Sequence, residues 1–275
     1  LIDWLTGYYE GRAALGRHHG DKILPTLGGA RAAPKLIASA RAILDDPGQG
    51  SKILRMGDGL LMGIAQAGTP GSVEFLFGLA EKRQLDPDLQ VRAFGALYQA
   101  YIQNLEPPRL DAKLLVPFVA RLEKIAGATL ADQSGANINV AFDLLGAVGK
   151  ENCLGPLTRL AGHAEVARRW RAVQYGLVCA GADGIVPMAE ALPEGIYAQG
   201  IVEKYFWDRA VALGEAAAAP ARQLLHSKSG VGRLTGVEIL ARVGGAGDIP
   251  LLRALTRDKT VIKGFWGPAK KGEKK

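Results

Sequence analysis

Aromatic side chains are scarce in this sequence, at 7% of 275 residues, and long β-branched runs are missing. Sheet interiors draw on those residue types, so a β-rich fold is disfavoured. Cysteine is nearly absent too. Cys153 and Cys179 have no CxxC partner, which removes the common zinc and dithiol motifs. Both lie in apolar helical sequence and read as small buried hydrophobes, with a disulfide or a reactive thiol as the alternative. The four histidines, His18, His19, His163 and His226, form no HxxxH or HExxH pattern. The side chains of His18 and His19 diverge on an extended segment, so a solvated loop pair is expected there rather than a metal site.

Catalytic and membrane signatures are missing as well. There is no GxSxG and no Walker sequence. "GDGLLMG", residues 57–63, lacks the preceding strand that a phosphate-binding glycine loop requires. The longest apolar stretch, "GLLMGIAQAGTPGSVEFLFGLA", is broken by Pro70, Glu74 and several glycines, and reads as two helices rather than a membrane span. No enzymatic activity, cofactor or metal is therefore expected. The chain opens at Leu1 without a methionine, so upstream sequence such as a signal or lipidation segment is expected to have been removed or left out. The cytoplasm is the default compartment, and secretion or a lipid-anchored periplasmic place stays open.

The net charge of +7 is unevenly spread. Residues 259–275 hold six lysines and one glutamate, a net +5, which leaves only +2 for residues 1–258. Basicity that resides in a tail says little about the folded body, so nucleic-acid binding is possible but not favoured.

What is abundant is alanine, leucine and glycine, a mixture suited to close helix-on-helix packing. Prolines recur at 117, 156, 187, 220 and 250, in "LLVPFVARL", "CLGPLTRLA", "GIVPMAEAL", "AAPARQLL" and "DIPLLRAL", with Pro70 as a looser earlier member. Proline is favoured in the first helical turn, where its missing N–H has no partner to lose, so each is expected to open a short second helix. A longer segment with apolar residues at three- and four-residue spacing precedes each one. Most of these end at Gly149, Gly181, Gly214 or Gly244-Gly245, where a left-handed glycine would cap the helix. Helix, glycine turn, helix, repeated every 30 to 39 residues, is the pattern of an α-solenoid.

"VRAFGALYQA", "RAVQYGLVCAGADGIVPMAEAL" and "VEILARVGGAGDIPLLRAL" resemble HEAT repeats of the bacterial, phycobilisome-lyase-like type. The resemblance implies an all-α, right-handed α-α superhelix of the ARM type, with about six helical hairpins across residues 51–258. Residues 1–50, with a glycine-rich loop and one helix, are expected to cap it, and residues 259–275 form a basic tail. The family implies a binding surface and no catalytic residue.

Several residues are candidates for that surface. Arg92, Arg169 and Arg233 occupy equivalent places in the first helices, and the resemblance favours an internal ladder for them over a basic binding row. Arg121, Arg159, Arg222 and Arg253 follow the recurring prolines on second helices, which line the concave face of such superhelices. A partner and solvent are equal readings for that face. Trp207 in "KYFWDR" and Trp170 in "ARRWRAV" lie between charges, as interface anchors do, and packing between neighbouring units is the alternative. In the tail, Phe265 and Trp266 are expected to be buried, with Lys270, Lys271 and the lysines beyond them meeting an acidic surface of another chain. The expected role is a scaffold or adaptor that docks onto a partner protein within a larger assembly. The alternatives are a nucleic-acid binder resembling the HEAT-like DNA glycosylases and a lyase- or chaperone-like helper for one client.

Overall fold

Thr69-Pro70, Asp86-Pro87 and Ser229-Gly230 open three helices by one device. A side-chain oxygen accepts a backbone N–H that the first helical turn leaves unpaired: Ser72 N–H donates to Thr69 Oγ1 at 3.1 Å, Asp88 N–H to Asp86 Oδ1 at 2.9 Å, and Gly232 N–H to Ser229 Oγ at 3.2 Å. The computed structural model describes residues 29–46, 52–82, 85–103, 110–193 and 206–258, without the side chains of 52–58. The fold is all-α, with no strand among the described residues. In chain order the helices are α1 (Ala33–Asp45), α2 (Lys52–Gln66), α3 (Pro70–Glu81), α4 (Pro87–Tyr98), α5 (Val119–Ala126), α6 (Gly135–Ala147) and α7 (Lys150–Ala161). Then follow α8 (Val166–Ala180), α9 (Ile185–Ala191), α10 (Asp208–Ala212), α11 (Ala218–Leu224), α12 (Gly230–Val243) and α13 (Ile249–Leu255). His18 and His19, and the tail residues Phe265, Trp266, Lys270 and Lys271, lie outside the described residues.

The glycine and proline readings hold in part. Gly149, Gly181 and Gly214 have φ of +87°, +56° and +62°, the left-handed values that end a helix sharply. Gly244 differs, leaving α12 in an extended conformation with φ of −73°. Pro70 and Pro250 lie in the first turn of their helices. Pro187 and Pro220 are the third residues of α9 and α11, each preceded by a 3-10 turn, and Pro117 lies in the 3-10 turn Ala112–Phe118 ahead of α5. Pro156 opens nothing: it is inside α7, which starts at Lys150 directly after the Gly149 turn. Buried Cys153, Leu157 and Leu160 keep α7 helical through the proline, whose missing N–H deprives the Asn152 carbonyl of its helical donor.

The chain divides into two compact units, Leu1–Ala147 and Val148–Lys275, with the division inside the span expected to be one repeat array. In the first unit α2, α4 and α6 lie side by side as one row, and α1 and α3 pack across from it. Phe77 is the hub of its core. Its ring stacks on Phe118 at 5.0 Å and meets Phe94 edge-on at 5.3 Å. In the second unit α7, α9 and α11 form one row, and α8, α10 and α12 the other.

Each proline-bearing helix was expected to pair chiefly with the helix before it. Instead α3, α7 and α11 pack most closely on the helix that follows, α4, α8 and α12 respectively. Length explains this for α8. Its 15 residues are matched by the 12 of α7 but not by the seven of α9. A disulfide joins Cys153, near the start of α7, to Cys179, near the end of α8, so the two helices are antiparallel. Their Cα atoms are 6.6 Å apart. The cysteines were expected to be unpaired hydrophobes. No local motif announced the pairing, because it depends on two helix ends meeting across 26 residues.

Candidate functional site

Three of the regularly spaced arginines, Arg121, Arg222 and Arg233, are held by carboxylates of neighbouring segments, whereas Arg92, Arg159 and Arg253 are exposed. Arg121 on α5 is gripped by two carboxylates of α3. Its Nη1 donates to Glu74 at 2.7 Å, and its Nε and Nη2 donate to Glu81 at 3.1 and 2.6 Å. The guanidinium carbon also lies 4.9 Å from the centre of the Phe77 ring, within cation–π range. Hydrogen bonding to Glu81 leads the causes that raise its pKa above the ordinary arginine value. Arg121 is thus a clamp between helices of the first unit.

Arg222 plays the same part in the second unit. Its Nε and Nη2 donate to the two oxygens of Asp248 at 2.6 and 3.1 Å, and Asp248 also accepts the Gly245 N–H at 2.9 Å. The Arg222 hydrogen bond, followed by the Gly245 amide, holds the Asp248 carboxyl below its ordinary value of 3.8. A depressed carboxyl stabilises the folded state above its unfolded pKa, and that contribution is lost as pH falls through the lower folded value. Thermal melts of the wild type should therefore decline more steeply below the ordinary carboxylate pKa than those of Asp248→Asn. Parallel profiles would show that the pair contributes nothing.

Arg233 fits the internal-ladder reading. Its Nη1 donates to the carbonyls of Ser227 and Lys228 at 2.7 and 3.1 Å, and its Nε to Asp258 at 2.6 Å. The ladder is not uniform. Arg92 is exposed, and the Arg169 Nε is buried without a hydrogen-bond partner. The deeply buried arginine of α8 is its neighbour Arg168, 3% exposed and paired with Glu165 at 2.5 Å. Sequence reading missed it, although Arg168 shares a helical face with Ala172 and Gly176, which recur every fourth residue and are also buried.

Arg159 and Arg253 are exposed on α7 and α13. Arg121 belongs to the first unit, and Arg159, Arg222 and Arg253 to the second. Trp207 is in the core, 6% exposed, with Thr235 Oγ1 3.5 Å from its indole nitrogen and the Arg242 guanidinium 5.7 Å from its ring. That burial withdraws it from any surface a partner could touch.

Trp170 is placed differently. At about 100° per residue, Ala167, Trp170, Arg171, Gln174, Tyr175 and Val178 fall within an arc of about 140° on α8. Val178 is 53% exposed, Ala167 is exposed, and the other four are half-buried. Sequence reasoning named Trp170 and missed Val178, although the two are eight residues apart and share a face. A large apolar side chain on the surface beside Trp, Tyr and Arg has the composition of an interface centre.

Other polar groups offer little chemistry. The buried Tyr101 hydroxyl has no hydrogen-bond partner, and burial, followed by the Asp111 charge, pushes its pKa up to about 12. It stays protonated near neutrality. Among the described residues no group of three His, Cys, Asp or Glu side chains gathers within metal-binding reach, and no helix is long and apolar enough to cross a membrane. No protein-family model and no curated protein matches the chain.

Proposed function

We propose that this chain is a non-catalytic, HEAT-like adaptor that docks onto a partner protein through the outward face of α8. The observation that carries the reading is Val178, 53% exposed on the face that also holds Trp170, Arg171 and Tyr175. Rigid aromatics and arginine around an apolar centre supply contact area at low entropic cost, which favours a protein partner. Two-row packing within each unit supports the comparison with helical repeats, whose extended surfaces bind through distributed contacts. Nucleic acid is less suited to the body of the chain. Arg121, Arg222 and Arg233 are paired with carboxylates, which makes them less available to phosphates.

Val178→Arg tests the reading, because it alters an exposed position without opening the core. Native-level affinity purification of the whole protein, with nuclease and moderate-salt washes, should recover a stoichiometric protein with the wild type. Recovery should fall at least about tenfold with the variant, corresponding to about 1.4 kcal/mol. Equal recovery would remove α8 as the docking face. Sequence-specific nucleic acid that survives deletion of residues 268–275 would replace the adaptor reading with a nucleic-acid one.

A further inference from the structure

α13 is pinned at both ends and buried nowhere. Asp248, just before it, is held by Arg222, and Asp258, just after it, is held by Arg233 at 2.6 Å. Between these anchors none of its residues is buried. Ile249 is 48% and Leu251 37% exposed, while Leu252 and Leu255 are half-buried. At about 100° per residue these four side chains span an arc of about 160°, a continuous apolar stripe along one side of the helix. Two ion pairs thus fix the position of a helix whose apolar stripe is incompletely covered.

We propose that the occupant of this stripe is the chain's own segment "VIKGFW", residues 261–266. Four of its six side chains, Val261, Ile262, Phe265 and Trp266, are large and apolar. The segment starts three residues beyond Asp258, whose place Arg233 fixes. Eight residues reach at most about 29 Å, and a seven-residue helix is about 10 Å long, so Trp266 can return along the whole of α13. A segment tethered this closely has an effective concentration in the millimolar range, which a separate molecule rarely matches.

The contact is apolar, not electrostatic. Arg253 and Arg257 share their sign with Lys259, Lys263 and the lysines that follow, so added salt should tighten the cover by screening that repulsion. An acidic foreign partner would show the opposite dependence.

Fluorine NMR of purified full chain carrying fluorotryptophan at its four tryptophans tests this directly, with the Trp266 signal assigned by Trp266→Phe. The readout is the solvent isotope shift between light and heavy water, compared with a synthetic peptide of residues 259–275. In the wild type the Trp266 shift should be well below the peptide value, at every protein concentration, and should fall further with salt. In Ile249→Glu/Leu251→Glu, both exposed positions, it should rise to the peptide value while the core Trp207 signal stays unchanged, showing that the second unit remains folded. A peptide-like Trp266 in the wild type, or protection that persists in the double variant, would overturn the proposal. So would protection that appears only as concentration rises, because a second copy would then be the occupant. The measurement uses no partner, so its outcome is separable from the fate of the α8 docking face.

Discussion

Replacing Phe77 with alanine is expected to lower the unfolding free energy of the first unit by about 4 kcal/mol. Phe77 has no exposed surface and joins three elements at once. It stacks on Phe118 from the 3-10 turn, meets Phe94 of α4 edge-on, and lies under the guanidinium of Arg121 from α5. Alanine would remove the apolar burial, both ring contacts and the floor beneath Arg121, and would leave a cavity that anchored helices cannot fully close. Phe77→Leu keeps most of the volume and should cost less, about 1.5 kcal/mol. Urea unfolding followed by far-UV circular dichroism distinguishes the two. If the alanine variant lost less than about 1 kcal/mol, the aromatic cluster would not be the hub of this core.

Breaking the Cys153–Cys179 link should produce the next largest effect, a loss of about 3 kcal/mol. The bond closes a loop across 26 residues, and without it the unfolded chain regains the entropy that closure removes. Native α7 and α8 should persist after reduction, since they pack along their lengths as well as at the bridge. The double variant Cys153→Ala/Cys179→Ala should therefore retain its helical circular dichroism at room temperature and melt earlier. Wild type treated with a phosphine reductant should melt with it. If the untreated wild type already melted like the variant and carried two titratable thiols, the bridge would not exist in the native protein.

The sequence made some features legible because they are local. Glycine turns at 149, 181 and 214 follow from the residue itself, as does proline in the first turn of α3 and α13. The all-helical character was readable for the same reason. Pro156 misled because burial of its neighbours outweighed its preference for a helix start. The Cys153–Cys179 pair and the grip of Glu74 and Glu81 on Arg121 join residues 26 to 47 positions apart, which no spacing rule within one helix can show. Trp207 misled because helical geometry alone does not say which neighbour covers a given side, and Thr235 and Arg242 of α12 do so. The α8 face was half visible: Trp170 stood out among charges, whereas Val178 looked like one more core residue.

Arg121, Arg222 and Arg233, three of the regularly spaced arginines, hold helical segments together through their carboxylate partners. Hydrogen exchange at the arginine Nε–H groups, followed by NMR on arginine-labelled protein, tests it most directly. Each of Arg121, Arg222 and Arg233 donates its Nε–H to a carboxylate, whereas Arg253 is exposed on α13. The three clamped groups should exchange markedly more slowly than that of Arg253. Uniformly fast exchange at all four would contradict the account, because it would show that the carboxylates do not hold these arginines.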